Sequence, residues 1–164
     1  MSERIVSKSM ASRQIVNLLL DASVWDAACI MTKSNCGSVL IFDTTGNMRG
    51  ILTERDLMTR VLAKALDPKT TLVSQVMTAN PHCVGPNTTV SEAILLMIER
   101  GFRHLPIKAI DGKIIGIFSA RDALPKEIDA AMTMAQFHQQ LNEDRKSTRL
   151  NSSHEWISRM PSSA

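Results

Sequence analysis

Gly50-Ile51-Leu52-Thr53-Glu54-Arg55-Asp56 recurs 66 residues later as Gly116-Ile117-Phe118-Ser119-Ala120-Arg121-Asp122. Holding that offset without a gap from Trp25–Met58 onto Ser91–Leu124 gives eight identities in 34 positions. They are Ala27/Ala93, Met31/Met97, Ile41/Ile107, Gly46/Gly112, Gly50/Gly116, Ile51/Ile117, Arg55/Arg121 and Asp56/Asp122. The pairs Asp26/Glu92, Val39/Leu105 and Thr53/Ser119 are conservative. Ungapped identities that fall on Gly, Asp and apolar positions mark a duplicated structural unit.

Each copy reads the same way. Val24, Ala27, Ala28 and Met31 in the first copy, and Val90, Ala93, Ile94, Met97 and Ile98 in the second, have helical spacing. Asp26 and Glu92 lie near the helix start, where a negative charge suits the helix dipole. A short apolar strand follows, at Ser38–Phe42 or His104–Lys108. Gly46 and Gly112 sit in the turns that come next and can take the positive φ of a tight hairpin. A second strand is expected at Met48–Leu52 or Ile114–Phe118. A second helix starts at Thr53 or Ser119. In the first copy it runs to about Leu66, before Asp67-Pro68. In the second, Pro125 breaks it and Lys126–Asp144 forms a helix of its own. Val73–Met77 reads as one helical turn and His82–Val84 as an extended connector bracketed by Pro81 and Pro86.

Charge separates the two ends of the chain. The formal net charge is +3, yet residues 1–144 carry equal numbers of basic and acidic side chains. The excess comes from Arg145, Lys146, Arg149 and Arg159 against Glu155. Six of the last twenty residues are Ser and the apolar ones keep no period, so 145–164 is expected to be a disordered tail. That tail resembles translated adapter or vector sequence. With the basic excess confined there, neither a nucleic-acid surface nor a membrane surface is expected on the folded part. Cys29, Cys36 and Cys83 have no C-x-x-C spacing, and His82, His104, His138 and His154 have no metal-ligand spacing. His82 and Cys83 are adjacent in an extended segment and point to opposite faces, so they do not form a nucleophile and base. No P-loop or G-x-G-x-x-G occurs. The first residues, MSERIVSKSM, hold no apolar h-region, and a reducing cytoplasm is the expected compartment.

Val76 to Ala93 reads V-M-T-x-x-P-x-x-V-x-P-x-x-T-V-x-E-A, and Phe102-Arg103-His104-Leu105-Pro106-Ile107 and G-I-x-[ST]-x-R-D follow. Taken together, this pattern resembles the cystathionine-β-synthase-type repeat, the CBS domain. Two in tandem resemble a CBS pair, or Bateman module. The match is fuller in the second copy. In the first, Leu40 stands where Pro106 does and Gly37-Ser38 where Arg103-His104 do. The resemblance implies an α/β fold of two pseudo-symmetric helix–strand–strand–helix repeats packed through their sheets. The expected divisions are 10–70 and 71–125 for the repeats, 126–144 for a C-terminal helix and 145–164 for the tail. It also implies a regulatory module that binds an adenosine-containing ligand (AMP, ADP, ATP or S-adenosylmethionine) in the clefts between repeats, with no catalytic residue, cofactor or metal. A homodimer and a regulated protein target are the implied partners. The alternative is a ligand-independent dimerisation module.

Thr53 and Ser119 fit helix N-caps, with Asp56 and Asp122 at N3. The same geometry suits a ligand. A hydroxyl at a helix start can donate to phosphate, and a carboxylate one turn on can accept from ribose hydroxyls. Capping and binding are compatible. The resemblance assigns ribose to Asp56 and Asp122, and phosphate or ribose to Thr53 and Ser119. Arg55 and Arg121 stand beside them, where a guanidinium suits an anion. Arg103 and His104 either face the cleft or are ordinary strand residues. The resemblance also places Leu105 and Pro106, and Val39 at the matching position, along the adenine pocket, with His82 and Val84 on the opposite wall. The better-formed site is expected at Ser119, Arg121, Asp122 and the Leu105–Ile107 strand.

Overall fold

A computed structural model describes residues 3–158, with side chains through 148. Its elements are α1 (Val6–Ser9), β1 (Asn17–Leu19), α2 (Val24–Ser34), β2 (Ser38–Phe42), β3 (Met48–Thr53), α3 (Glu54–Asp56), α4 (Val73–Val76), β4 (Thr78–Ala79), α5 (Val90–Arg100), β5 (His104–Lys108), β6 (Ile114–Ser119) and α6 (Pro125–Ser158). A π turn over Leu57–Val61 and a 3₁₀ turn over Leu62–Lys64 prolong α3, and a 3₁₀ turn, Ala120–Asp122, follows β6.

The duplication persists in three dimensions. The first sheet has the order β1-β2-β3-β4, with β1 parallel to β2 and the other pairs antiparallel. In the second, β5 and β6 pair antiparallel, and Val84 bridges Ile107 in parallel where Leu18 pairs with Ile41 in the first. Extended β1 supplies the first lead-in without a proline. Each hairpin turn needs its glycine, at φ 84° for Gly46 and 87° for Gly112.

Six core positions repeat at the 66-residue offset: Val24/Val90, Ala27/Ala93, Met31/Met97, Val39/Leu105, Ile41/Ile107 and Leu52/Phe118 are all buried, each set packed within its own repeat. The caps repeat as well. Ser23 with Asp26, Thr89 with Glu92, Thr53 with Asp56 and Ser119 with Asp122 each close a capping box. Hydrogen bonds from the Ser23 hydroxyl hold Asp26 below the ordinary carboxylate range, and the Thr89 N–H does the same for Glu92. A carboxyl titrating low when folded adds stability above that range and loses it as the pH falls below. Thr89→Ala removes the α5 cap and is expected to cost about 1 kcal/mol in urea unfolding; an unchanged midpoint would contradict the cap.

The chain start lies outside the expected divisions, which begin at residue 10. Residues 4–8 dock on the second repeat, not the first: Val6 is fully buried in the second core, its N–H donates to Thr88 O at 2.9 Å, and Arg4 pairs with buried Glu127 at 3.0 Å. α6 also differs. It continues to Ser158, past the expected end at 144, because no Pro or Gly interrupts residues 126–160. It covers the second core through Ala131 and Ile128. Of the tail expected at 145–164, residues 159–164 lie outside the described residues. No helix among the described residues is long and apolar enough to cross a membrane.

Candidate functional site

Two clefts form where one repeat meets the other. The first, about 310 Å³, is lined by Ile51, Thr53, Glu54, Arg55, Asp56 and Arg60 of the first repeat. Thr78, Asn80, Pro81 and His82 of the connector, and Gly101, Phe102, Arg103 and His104 of the second repeat, close it. The second, about 560 Å³, is lined by Ile117, Ser119, Arg121 and Asp122 against Ser12, Gln14, Val16, Cys36, Gly37 and Ser38. The offset that relates the sequences relates the walls: Thr78/Ser12, Asn80/Gln14, His82/Val16, Phe102/Cys36, Thr53/Ser119 and Asp56/Asp122.

In the first cleft Asp56 is only 8% exposed. Its Oδ2 accepts from the Thr53 N–H and hydroxyl, both at 2.9 Å, and its Oδ1 lies 3.4 Å from Arg60 Nε. Arg60 also donates to the carbonyls of Val76 and Met77 at 2.9 and 3.0 Å, tying the carboxylate to the connector. The π turn after Asp56 brings Arg60 into the cleft lining. An Asp–Arg pair four apart is legible in sequence, but the repeat does not single out Arg60, because its second copy is Lys126. Arg55 donates to Gly101 O at 3.0 Å, across to the other repeat.

In the second cleft Asp122 Oδ2 accepts from the Ser119 N–H at 2.9 Å. Its Oδ1 receives the Ala11 N–H at 3.3 Å. Arg4 donates to the Asp122 carbonyl at 3.4 Å. Asp122 is half-buried, so the more enclosed carboxylate belongs to Asp56, opposite to the sequence expectation.

Thr53, Arg55, Asp56, His82 and Arg103 thus meet in the first cleft, Ser119, Arg121 and Asp122 in the second, and His104 in both. Four residues expected in the walls lie elsewhere. Val39 and Leu105 are fully buried in the two cores, Pro106 is fully buried, and Val84 packs against the second core. The reason is that both faces of β2 and β5 are covered. Val39 and Leu105 face the helices, while Leu40 and Pro106, equivalent at the offset, point the other way and are buried too. Ile51, Pro81 and Phe102 provide the apolar wall instead.

Burial also pushes the Cys83 thiol up, holding it protonated at neutral pH, and its Sγ donates to Pro81 O at 3.4 Å. No cluster of three potential metal ligands occurs among the described residues.

The CBS domain family model matches residues 6–63 and 73–127. A CBS domain-containing protein of Arabidopsis thaliana is 35% identical over 122 residues, 74% of this chain and 22% of the relative. The chain therefore spans about a fifth of the length of such plant relatives. A 17.7 kDa protein of Acidianus ambivalens is 33% identical over 113 residues, 69% of this chain and 67% of that protein. The crystal structure of a CBS-domain containing protein from Agrobacterium tumefaciens superposes with TM-score 0.66 at 30% identity, covering 72% of this chain and 94% of that one. A CBS domain protein from Pyrobaculum aerophilum, solved complexed with AMP, superposes with TM-score 0.69 at 22% identity, covering 80% and 99%. At that identity it bears on the fold alone. With a matching unit at each half of the duplication and the same fold around it, the chain belongs to the CBS domain family, as a tandem pair.

Proposed function

We propose that this chain is a regulatory module that binds an adenosine-containing ligand in its clefts and passes the occupancy on as a change in how the two repeats sit. The observation that carries this reading is the repeated constellation. In each cleft a capped hydroxyl and a carboxylate of one repeat face a lead-in segment and a strand start of the other. Asp56 Oδ2 is used twice by Thr53, while Oδ1 has only the 3.4 Å contact to Arg60. A carboxylate oxygen can accept two hydrogen bonds, so Oδ1 has capacity left for a ribose diol. Arg55 and Arg103 supply positive charge for phosphate, and Ile51, Pro81 and Phe102 an apolar surface for a base. Arg121 and Lys33 play the cationic part in the second cleft.

A ligand walled by both repeats binds one arrangement of them better than another, and that difference is the signal. We also propose a homodimer, seated on exposed apolar residues such as Met58 and Leu62, 58% and 77% exposed. Thermal unfolding with AMP, ADP, ATP and S-adenosylmethionine in turn separates a sensor from a module that only dimerises. A true ligand at 100 times its Kd is expected to add about 2.7 kcal/mol, or roughly 5–10 °C in Tm. No shift with any of the four would leave the ligand-independent dimerisation module as the reading.

A further inference from the structure

Where the clefts meet, the two repeats present unlike residues. The first has Gly37-Ser38 at the positions where the second has Arg103-His104. Gly37 and His104 line both clefts, so the His104 imidazole is a partition between them. Gly37 makes room for it: a Cβ there would sit 3.4 Å from His104 Nε2 and 3.4 Å from the Glu54 carboxyl. Ser38, 4% exposed, is the small buried counterpart of the histidine.

The charges facing this ring come from both sides. Arg103 and Glu54 belong to the first cleft, Arg121 and Asp122 to the second. Burial above all, then Arg103, holds the His104 pKa below the ordinary imidazole value, while Glu54 and Asp122 oppose. The ring is therefore neutral at neutral pH.

Resting on the nucleotide reading above, we propose that His104 links the two clefts through a proton. A phosphate-bearing ligand entering either cleft draws a proton from solvent onto the shared imidazole, and the resulting cation favours an anion in the other. Affinity rises as the pH falls from above the pKa of the free protein's ring. A nearby anion that raises this pKa by one unit changes affinity about tenfold over that window.

Two measurements test this, one without any ligand. In the free protein, the His104 ring titration followed by NMR is expected to move down in Glu54→Gln and up in Arg121→Gln. A ring that ignores either substitution faces one cleft only, and the proposal falls. AMP is then titrated calorimetrically in buffers of different ionisation enthalpy. Wild-type protein is expected to take up a fraction of a proton per AMP. In His104→Gln the proton uptake per AMP bound is expected to vanish. His138→Gln, which removes a histidine outside both clefts, should keep the uptake. Uptake that survives in His104→Gln overturns the proton link. Wild-type protein that binds no AMP defeats the nucleotide reading instead, and the ligand-free titration still decides whether His104 is shared.

Discussion

Phe118→Ala is expected to cost about 3–5 kcal/mol, the loss typical of a buried aromatic removed from a core that cannot collapse around it. Phe118 is fully buried, opposite Leu105 across the β5–β6 ladder and packed with Val90, Ala93 and Ile107. The second sheet has only two full strands, so few neighbours can move to refill the space. Domains of this size hold about 5–15 kcal/mol in total, so the variant should sit near the edge of folding. Phe118→Leu installs the residue that the first repeat uses at the same place, Leu52, and should cost about 1 kcal/mol. Urea unfolding of the three proteins checks both. A Phe118→Ala loss below about 1 kcal/mol would mean the side chain is not close-packed.

Asp56→Ala is expected to weaken AMP binding about 100-fold, as two charge-assisted hydrogen bonds to a ribose diol would require. The substitution also opens the capping box with Thr53, so some stability is lost with it. Asp56→Asn keeps the size and loses the charge, which separates the two effects. It should unfold close to wild type and still bind AMP poorly. The same pair at Asp122 should weaken binding less, because Asp122 Oδ1 already receives the Ala11 N–H and the carboxylate is less enclosed.

The duplicated unit was legible because it is written in local terms. A cap residue with an acid three positions on, apolar residues at helical spacing, and glycine in the hairpin turns each announce themselves within one element. The helix pairs Val24/Val90, Ala27/Ala93 and Met31/Met97 follow from that spacing, whereas Val39/Leu105, expected in the cleft walls, belong to the cores. Long-range terms were not legible. Ile5 and Val6 are a short apolar step in a polar stretch with no period, and the segment docks on the second repeat through distant partners, Arg4 reaching Glu127, 123 residues away. Leu105 and Pro106 carry the strongest family pattern, yet whether a strand residue faces a cleft or a core depends on what covers its second face. Spacing marks the carboxylates of the site as helix caps and the family resemblance adds their ligand role, whereas Arg60 is hidden by its unlike second copy and by the π turn that aims it. The shared position of His104 emerges only when both repeats are in place, since the glycine that makes room for it lies 67 residues earlier in the chain.

The proposed ligand of these clefts is an adenosine nucleotide held on Asp56 and Asp122. Calorimetric titration of AMP into wild-type protein and into the double variant Asp56→Ala/Asp122→Ala tests it most directly. Saturable binding to the wild type, lost in the double variant, is the predicted result. No binding to the wild type, or equal affinity in both proteins, would contradict it.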